Sequence, residues 1–295
     1  MVRRLAVATA AGATLLLAGC SPTQVGKATP TPAPTVAPTS SPTPTEPAEP
    51  SRPTASGEPE YSNWPLGEIV LPLRPDGLGE ISATPRPLRE RRYPTEDVLT
   101  PPSDGLFASS IGPVTPEIRE RMGETYAEGC PVDLADLSYV QVAFRGFDDA
   151  AHTGELVVAS SEAEGIVSVF RSLFRADFPI EEMRLPTTAD LDALPTGDGN
   201  NTAAFVCRPT TGQTSGFSAH AYGLALDLNP FMNPYLKDDV VIPERASSYL
   251  DRDDVRPGMV EPDDLVVREF ARIGWSWGGD FTTLKDYQHF SALDR

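Results

Sequence analysis

The sequence predicts an α+β fold. Three observations point there: an alternating apolar run and a second apolar run spaced as an antiparallel hairpin, an amphipathic helix directly after them, and a second short helix near the C-terminus. In chain order, the first helix begins near Thr115, where Thr suits the N-cap and Pro116 the first helical position, with Ile118 and Met122 on one apolar stripe. From Tyr139 to Phe144 the chain alternates, placing Val140, Val142 and Phe144 on one face. After a polar connection, Glu155 to Ala159 continues as the second strand. Ser161 and Glu164 have the spacing of a capping box, and Ile166, Val169, Phe170, Leu173 and Phe174 recur at helical intervals, so this helix should lay its apolar face on the sheet. Phe178-Pro179-Ile180 leads towards another strand ending near Arg184, and Thr196 to Asn201 reads as a Gly- and Asn-rich loop. The last helix spans about Asp263 to Ile273, opened by Pro262 and ended by Gly274. Trp275 to Trp277 then reads as a short strand and Gly278-Gly279-Asp280 as a turn.

Ahead of these elements lie three segments of different character. Over residues 1–19, Arg3 and Arg4 precede an apolar run from Leu5 to Leu17 that is short for a bilayer span and reads as an export signal. It ends in Leu17-Ala18-Gly19-Cys20, which resembles the bacterial lipobox. Cys20 is then the expected lipidation site and mature N-terminus, and an ordinary signal peptide is the alternative. Residues 20–60 are dominated by Pro, Thr, Ser and Ala with no periodicity that buries a face. Such a disordered tether, at about 3.1 Å per residue, reaches on the order of 100 Å from a membrane. Residues 61–114 are rich in Pro and Gly, carry Arg89, Arg91 and Arg92 close together, and read as an irregular segment wrapped on the domain that occupies 115–295.

The formal net charge of −18 argues against a nucleic-acid backbone as partner, which requires clustered Lys and Arg, and it is accounted for by solubility. With Cys20 assigned to lipid, Cys130 and Cys207 remain in an exported chain and are expected to pair. Two free buried thiols are the alternative, since sequence does not set their distance.

The chemistry concentrates in two short segments that hold two of the three histidines: Ser218-Ala219-His220-Ala221-Tyr222-Gly223-Leu224-Ala225-Leu226-Asp227 and Asp286-Tyr287-Gln288-His289-Phe290. Zinc takes nitrogen and oxygen ligands tetrahedrally, and a catalytic site keeps three protein ligands with a fourth position open. His220, Asp227 and His289 supply three. Gly223 lets the chain turn into a strand on which Leu226 and Leu228 point away from Asp227, and metal coordination offsets the cost of burying that carboxylate. Asp286, three residues before His289 on a helical turn or tight bend, is the candidate general base. Arg208, close in sequence to the first segment, is the candidate cation for a developing oxyanion. His152 has no second ligand at metal spacing and is expected to be structural. Trp275, Trp277 and Phe281 are expected in the core and cleft wall.

At these residues the chain resembles the zinc peptidases that include bacterial D-alanyl-D-alanine carboxypeptidases and dipeptidases and L-alanyl-D-glutamate endopeptidases. The pattern Ser-x-His-x-x-Gly-x-Ala-x-Asp matches Ser218 to Asp227, Trp-Gly-Gly-Asp-aromatic matches Trp277 to Phe281, and acid-x-x-His-Phe matches Asp286 to Phe290. The resemblance runs from about Cys130 to the C-terminus. It implies a small antiparallel sheet with helices packed to one side and a zinc site in a surface cleft. It also implies Zn2+ on His220, Asp227 and His289, Asp286 as catalytic acid and base, Arg208 as a catalytic and substrate contact, and Ser218 as a substrate-side residue that orients the site. The implied activity is hydrolysis of a bond in the peptidoglycan stem peptide at the outer face of the bacterial membrane, by a lipid-anchored monomer. Many carboxypeptidase members carry Glu where this chain has Asp286, and Asp looks more like the endopeptidase branch, so the scissile bond stays open. A wall-binding module that has lost turnover is the alternative of a different class, and the intact Asp286 argues against it. A purely structural lipoprotein would hold no stoichiometric metal.

Overall fold

The structure, a computed structural model, describes residues 60–210 and 216–293. The export signal over 1–19, the lipid site at Cys20 and the tether up to Pro59 lie outside the described residues. Among the described residues no helix is long and apolar enough to cross a membrane.

The leading segment is irregular except for a short helix, α1 (Arg86–Arg89), and a strand near its end, β1 (Ser109–Pro113). Helix α2 (Pro116–Met122) follows as expected, with the Thr115 hydroxyl accepting the Ile118 N–H. The hairpin is formed by β2 (Leu137–Arg145) and β3 (Ala151–Ala159), and β1 adds to the outer edge of β2 to give a three-stranded antiparallel sheet. The second strand begins before the apolar run that announced it: the four residues from Ala151 to Gly154 continue the ladder, with His152 opposite Phe144. His152 is buried, its Nδ1 2.8 Å from Asp97 Oδ1 and its Nε2 3.0 Å from Asp148 Oδ1, so it ties the leading segment to the hairpin turn.

Helix α3 (Ala163–Arg175) buries Ile166, Val169, Phe170, Leu173 and Phe174 and packs on β2. Its expected capping box does not form. Glu162 takes the N-cap position and Ser161 Oγ donates to the Glu162 carboxylate, because the helix starts one residue too late for Ser161 to reach a first-turn N–H. The strand expected up to Arg184 is reduced to isolated bridges, Arg145 with Pro179 and Glu182 with Asn201. A short helix, α4 (Thr188–Asp192), follows.

The C-terminal third is built from β4 (Ala225–Asp227), β5 (Tyr235–Lys237), β6 (Val240–Ile242), α5 (Leu265–Arg272), β7 (Ser276–Trp277), β8 (Lys285–Asp286) and β9 (His289–Ser291). In place of one small sheet there are three, the second ordered β4-β9-β7 and the third β6-β5-β8, all antiparallel. Helix α5 is opened by Asp264, which accepts the Val267 N–H, and Pro262 lies in the turn before it. The main core joins β2, α3 and α5 to Leu226, Trp277 and Phe290 from the second sheet and to Leu228 just after β4. A separate core holds Leu88 of α1 with Phe231, Met232 and Tyr249. Cys130 and Cys207 form a disulfide across a sequence separation of 77 residues, and closing a loop of that length contributes about 4 to 5 kcal/mol in the chain-entropy model.

Candidate metal centre

Strand pairing brings two of the expected ligands together. Asp227 of β4 lies directly opposite His289 of β9, and the neighbouring pair, Leu226 and Phe290, is fully buried in the main core. Because side chains alternate across a strand, the pair that faces away from the core is Asp227 with His289. The third arrives on a single turn of 3₁₀ helix over Ala219–Tyr222, where Ser218 is the N-cap and its hydroxyl accepts the His220 N–H. That turn closes on Gly223, at φ 67°, and a Cβ there would stand 2.4 Å from the backbone nitrogen of Ala159. Only glycine permits both the left-handed backbone and the close approach to β3. The fixed Ser, Gly and Asp of this segment thus have separate tasks: capping the turn, docking it on the hairpin, and facing the centre.

The three groups meet in a compact triangle. His220 Nε2 lies 3.3 Å from Asp227 Oδ1 and 3.3 Å from His289 Nδ1, and His289 Nδ1 lies 3.1 Å from Asp227 Oδ1. A tetrahedral zinc with bonds of about 2.0 to 2.1 Å holds its ligand atoms about 3.3 to 3.4 Å apart, so the donor set fits such an ion. The tautomer of His220 fits as well. Its Nδ1 is 2.5 Å from the Ala204 carbonyl oxygen, which can only accept, so in the neutral ring the proton sits on Nδ1 and the Nε2 lone pair faces the centre. Burial pushes the Asp227 carboxyl up, but the two imidazoles, in their protonated form, outweigh that and hold it well below the usual carboxylate range. The site therefore favours positive charge beside a bare carboxylate.

Asp286 sits next to this triangle. It ends β8, and the two-residue turn Tyr287–Gln288 leads straight into β9, so the acid-x-x-His spacing is realised by a tight bend between strands of different sheets. The bend is held by Trp277, whose indole N–H donates to the Tyr287 carbonyl at 2.8 Å. Gly278 lies beneath it: a Cβ would meet the Asp286 carbonyl oxygen at 2.5 Å, Asp286 Cβ at 2.9 Å and His289 Cβ at 3.2 Å. This accounts for the glycine after Trp277. Asp286 Oδ1 is buried without a hydrogen-bond partner in the structure. Burial, and then the charge of Asp227, pushes the Asp286 carboxyl up to about 7, against the pull of His289, Gln288 and Arg208.

All six residues picked out from the sequence, Arg208, Ser218, His220, Asp227, Asp286 and His289, line one cleft of about 670 Å³. Arg208 is fixed through its backbone, since Cys207 N–H donates to the Thr125 carbonyl, the Cys130–Cys207 disulfide is adjacent, and the Arg208 carbonyl accepts the Ser218 N–H at 3.1 Å. Sequence reading missed Tyr235 and Lys237 of β5 and Phe217, which also line the cleft. The available signal was the two-residue spacing of Tyr235 and Lys237, which puts both on one strand face. What brings that face to the site is the pairing of Tyr235 with Asp286, residues 51 apart in the chain, which no local pattern announces.

Residues 211–292 match the family model described as D-alanyl-D-alanine carboxypeptidase. The match spans both ligand segments and supports the zinc peptidase family that the motifs resemble, and with it a peptidase related to peptidoglycan. No curated protein and no solved structure matches the chain.

Proposed function

We propose that the protein is a zinc-dependent peptidase that hydrolyses a bond of the peptidoglycan stem peptide, held at the outer face of the cell membrane by a lipid on Cys20 and a tether through residue 60. The observation that carries this reading is the His220–Asp227–His289 triangle with the unpartnered Asp286 Oδ1 beside it in one cleft. Zinc, when bound, supplies Lewis acidity that polarises a carbonyl and acidifies a water.

The chain's own residues do the rest. Asp286 accepts the proton of the attacking water on the oxygen that nothing else occupies and returns it to the leaving amine. In the metal-free protein burial and the charge of Asp227 raise its pKa, and a bound dication draws it back towards the ionised form that a proton acceptor needs. Arg208, on the cleft wall, offsets the negative charge that develops on the scissile carbonyl oxygen. Ser218 acts through His220 by fixing the turn that presents it. A wall-binding module without turnover would have no use for a buried carboxylate left unsatisfied at this point, since such a group costs free energy unless it has a task.

The test uses purified muropeptides, incubated with the zinc-loaded protein and analysed by mass. Loss of a terminal D-alanine identifies a carboxypeptidase, and a cut between L-alanine and D-glutamate identifies an endopeptidase. D286N should retain one zinc per chain and lose roughly 10²- to 10⁴-fold in turnover. H220A should lose the zinc itself. Muropeptides left intact by the zinc-loaded wild type would sink the peptidase reading.

A further inference from the structure

We propose that Lys237 forms an anion subsite in this cleft and selects substrates that carry a free carboxylate within one or two residues of the scissile bond. The proposal rests on the peptidase reading for where that bond lies.

The placement of Lys237 follows from strand geometry. Tyr235 and Lys237 share one face of β5 and both line the cleft that contains the metal ligands. The register sets Tyr235 level with Asp286, so the Lys237 backbone stands two residues further along the strand, roughly 7 Å from the level of Asp286. Consecutive Cα atoms of a peptide are about 3.8 Å apart, so that offset corresponds to one or two substrate residues.

The ammonium is available for such a ligand. It makes no ion pair or hydrogen bond among the described residues. Lys285, the other described lysine, instead donates to the Gly279 carbonyl at 2.8 Å. The nearby carboxylate of Asp239 is engaged by Arg74 at 3.2 Å. The wall that carries Lys237 is also anchored. Arg74 donates to the Asp239 carbonyl as well, and Gly79 N–H donates to Glu244 Oε1, so the leading segment grips the β5–β6 hairpin and the chain just after it.

Charge argues in the same direction. The sequence carries 24 Lys and Arg against 42 Asp and Glu, so the net charge opposes an anionic peptide and a cation lining the cleft offsets that locally. The stem offers two sources of carboxylate near its scissile bonds, the terminal carboxyl and the α-carboxyl of γ-linked D-glutamate.

Binding is measured by calorimetry on zinc-loaded D286N, so that turnover does not interfere, using L-Ala-γ-D-Glu-L-Lys-D-Ala-D-Ala. The peptide is prepared in four forms, with the terminal carboxyl and the glutamate α-carboxyl each free or amidated. Amidating the recognised carboxyl should weaken binding roughly 10- to 100-fold, and which amide does so identifies the source. Adding K237Q should abolish that difference with zinc content unchanged, K237R should restore it, and K237E should reverse the preference. Equal affinities for all four forms, no binding of any form, or a difference that survives K237Q would overturn the proposal. Wild-type protein that cleaves none of the peptides, with the Lys237-dependent difference intact, would remove the peptidase reading and leave the subsite standing.

Discussion

In the proposed mechanism Asp286 links stability to chemistry. In the metal-free protein its carboxyl is raised from 3.8 to about 7, mainly by burial and then by the charge of Asp227. Between those pH values the folded protein keeps a proton that the unfolded chain has released, so the contribution of this residue to stability declines as pH rises from about 4 to about 7. D286N, which cannot ionise, should therefore raise the Tm of the metal-free protein at pH 8 by on the order of 5 °C and change it little at pH 4. Thermal unfolding at the two pH values checks this, and an equal shift at both would show that ionisation is not the cause. A bound dication should shrink the difference, because positive charge next to Asp286 stabilises its ionised form. The same group should make turnover rise with pH through its pKa in the metal-loaded protein, since the base must be ionised to take a proton.

At the scale of elements, the site depends on a few close approaches that only small residues allow. The turn after β7 runs beneath the bend joining β8 to β9, and Gly278 is the point of contact. G278A places a methyl group 2.5 Å from the Asp286 carbonyl oxygen, so either the turn or the bend must move. A displacement near 1 Å at a catalytic group costs on the order of 100-fold, and kcat/KM should fall at least about 10-fold, together with weaker zinc binding. Wild-type kcat/KM in G278A would show that the contact does not position Asp286. These elements were also the ones most legible in the sequence. The ligand segments each fall within ten residues, so their spacing could be read directly, and α3 is fixed by a five-residue apolar stripe that the structure buries completely. What escaped was non-local. β1 is recruited by β2 across more than twenty residues, the first four residues of β3 lack an apolar pattern, and the β5–β6 hairpin reaches the cleft through its register with β8. The capping box at Ser161 failed because spacing alone does not say which residue the helix starts on.

At the scale of the whole molecule, the leading segment is part of the fold even though it has little regular structure. Leu88 of α1 is fully buried in the second core, with Trp64 and Tyr93 packed against it. Arg91 extends a two-pronged ion pair to Glu181, with Nη2 2.6 Å from Oε1 and Nε 2.8 Å from Oε2, and its Nη1 donates to the Asp198 carbonyl. Both side chains are almost wholly buried, and Glu181 outweighs the effect of burial to hold the Arg91 pKa above its ordinary value. Trp64 adds an indole N–H to Asp198 Oδ2 at 2.8 Å. Removing one partner of such a buried pair costs about 3 to 5 kcal/mol, because the other charge is left without compensation. Losing Leu88 adds about 2 to 5 kcal/mol, as for a large-to-small change in a packed core. The sum is comparable to the whole stability of an ordinary domain, about 5 to 15 kcal/mol. A chain beginning at Pro101, which keeps β1 and every cleft residue, should therefore show no cooperative unfolding transition in urea, whereas a chain beginning at Glu60 should show one. R91A in the longer chain should lower the urea midpoint without abolishing the transition. Cooperative unfolding of the shorter chain at the midpoint of the longer one would mean that the metal-centre domain stands alone and that the leading segment is only draped over it.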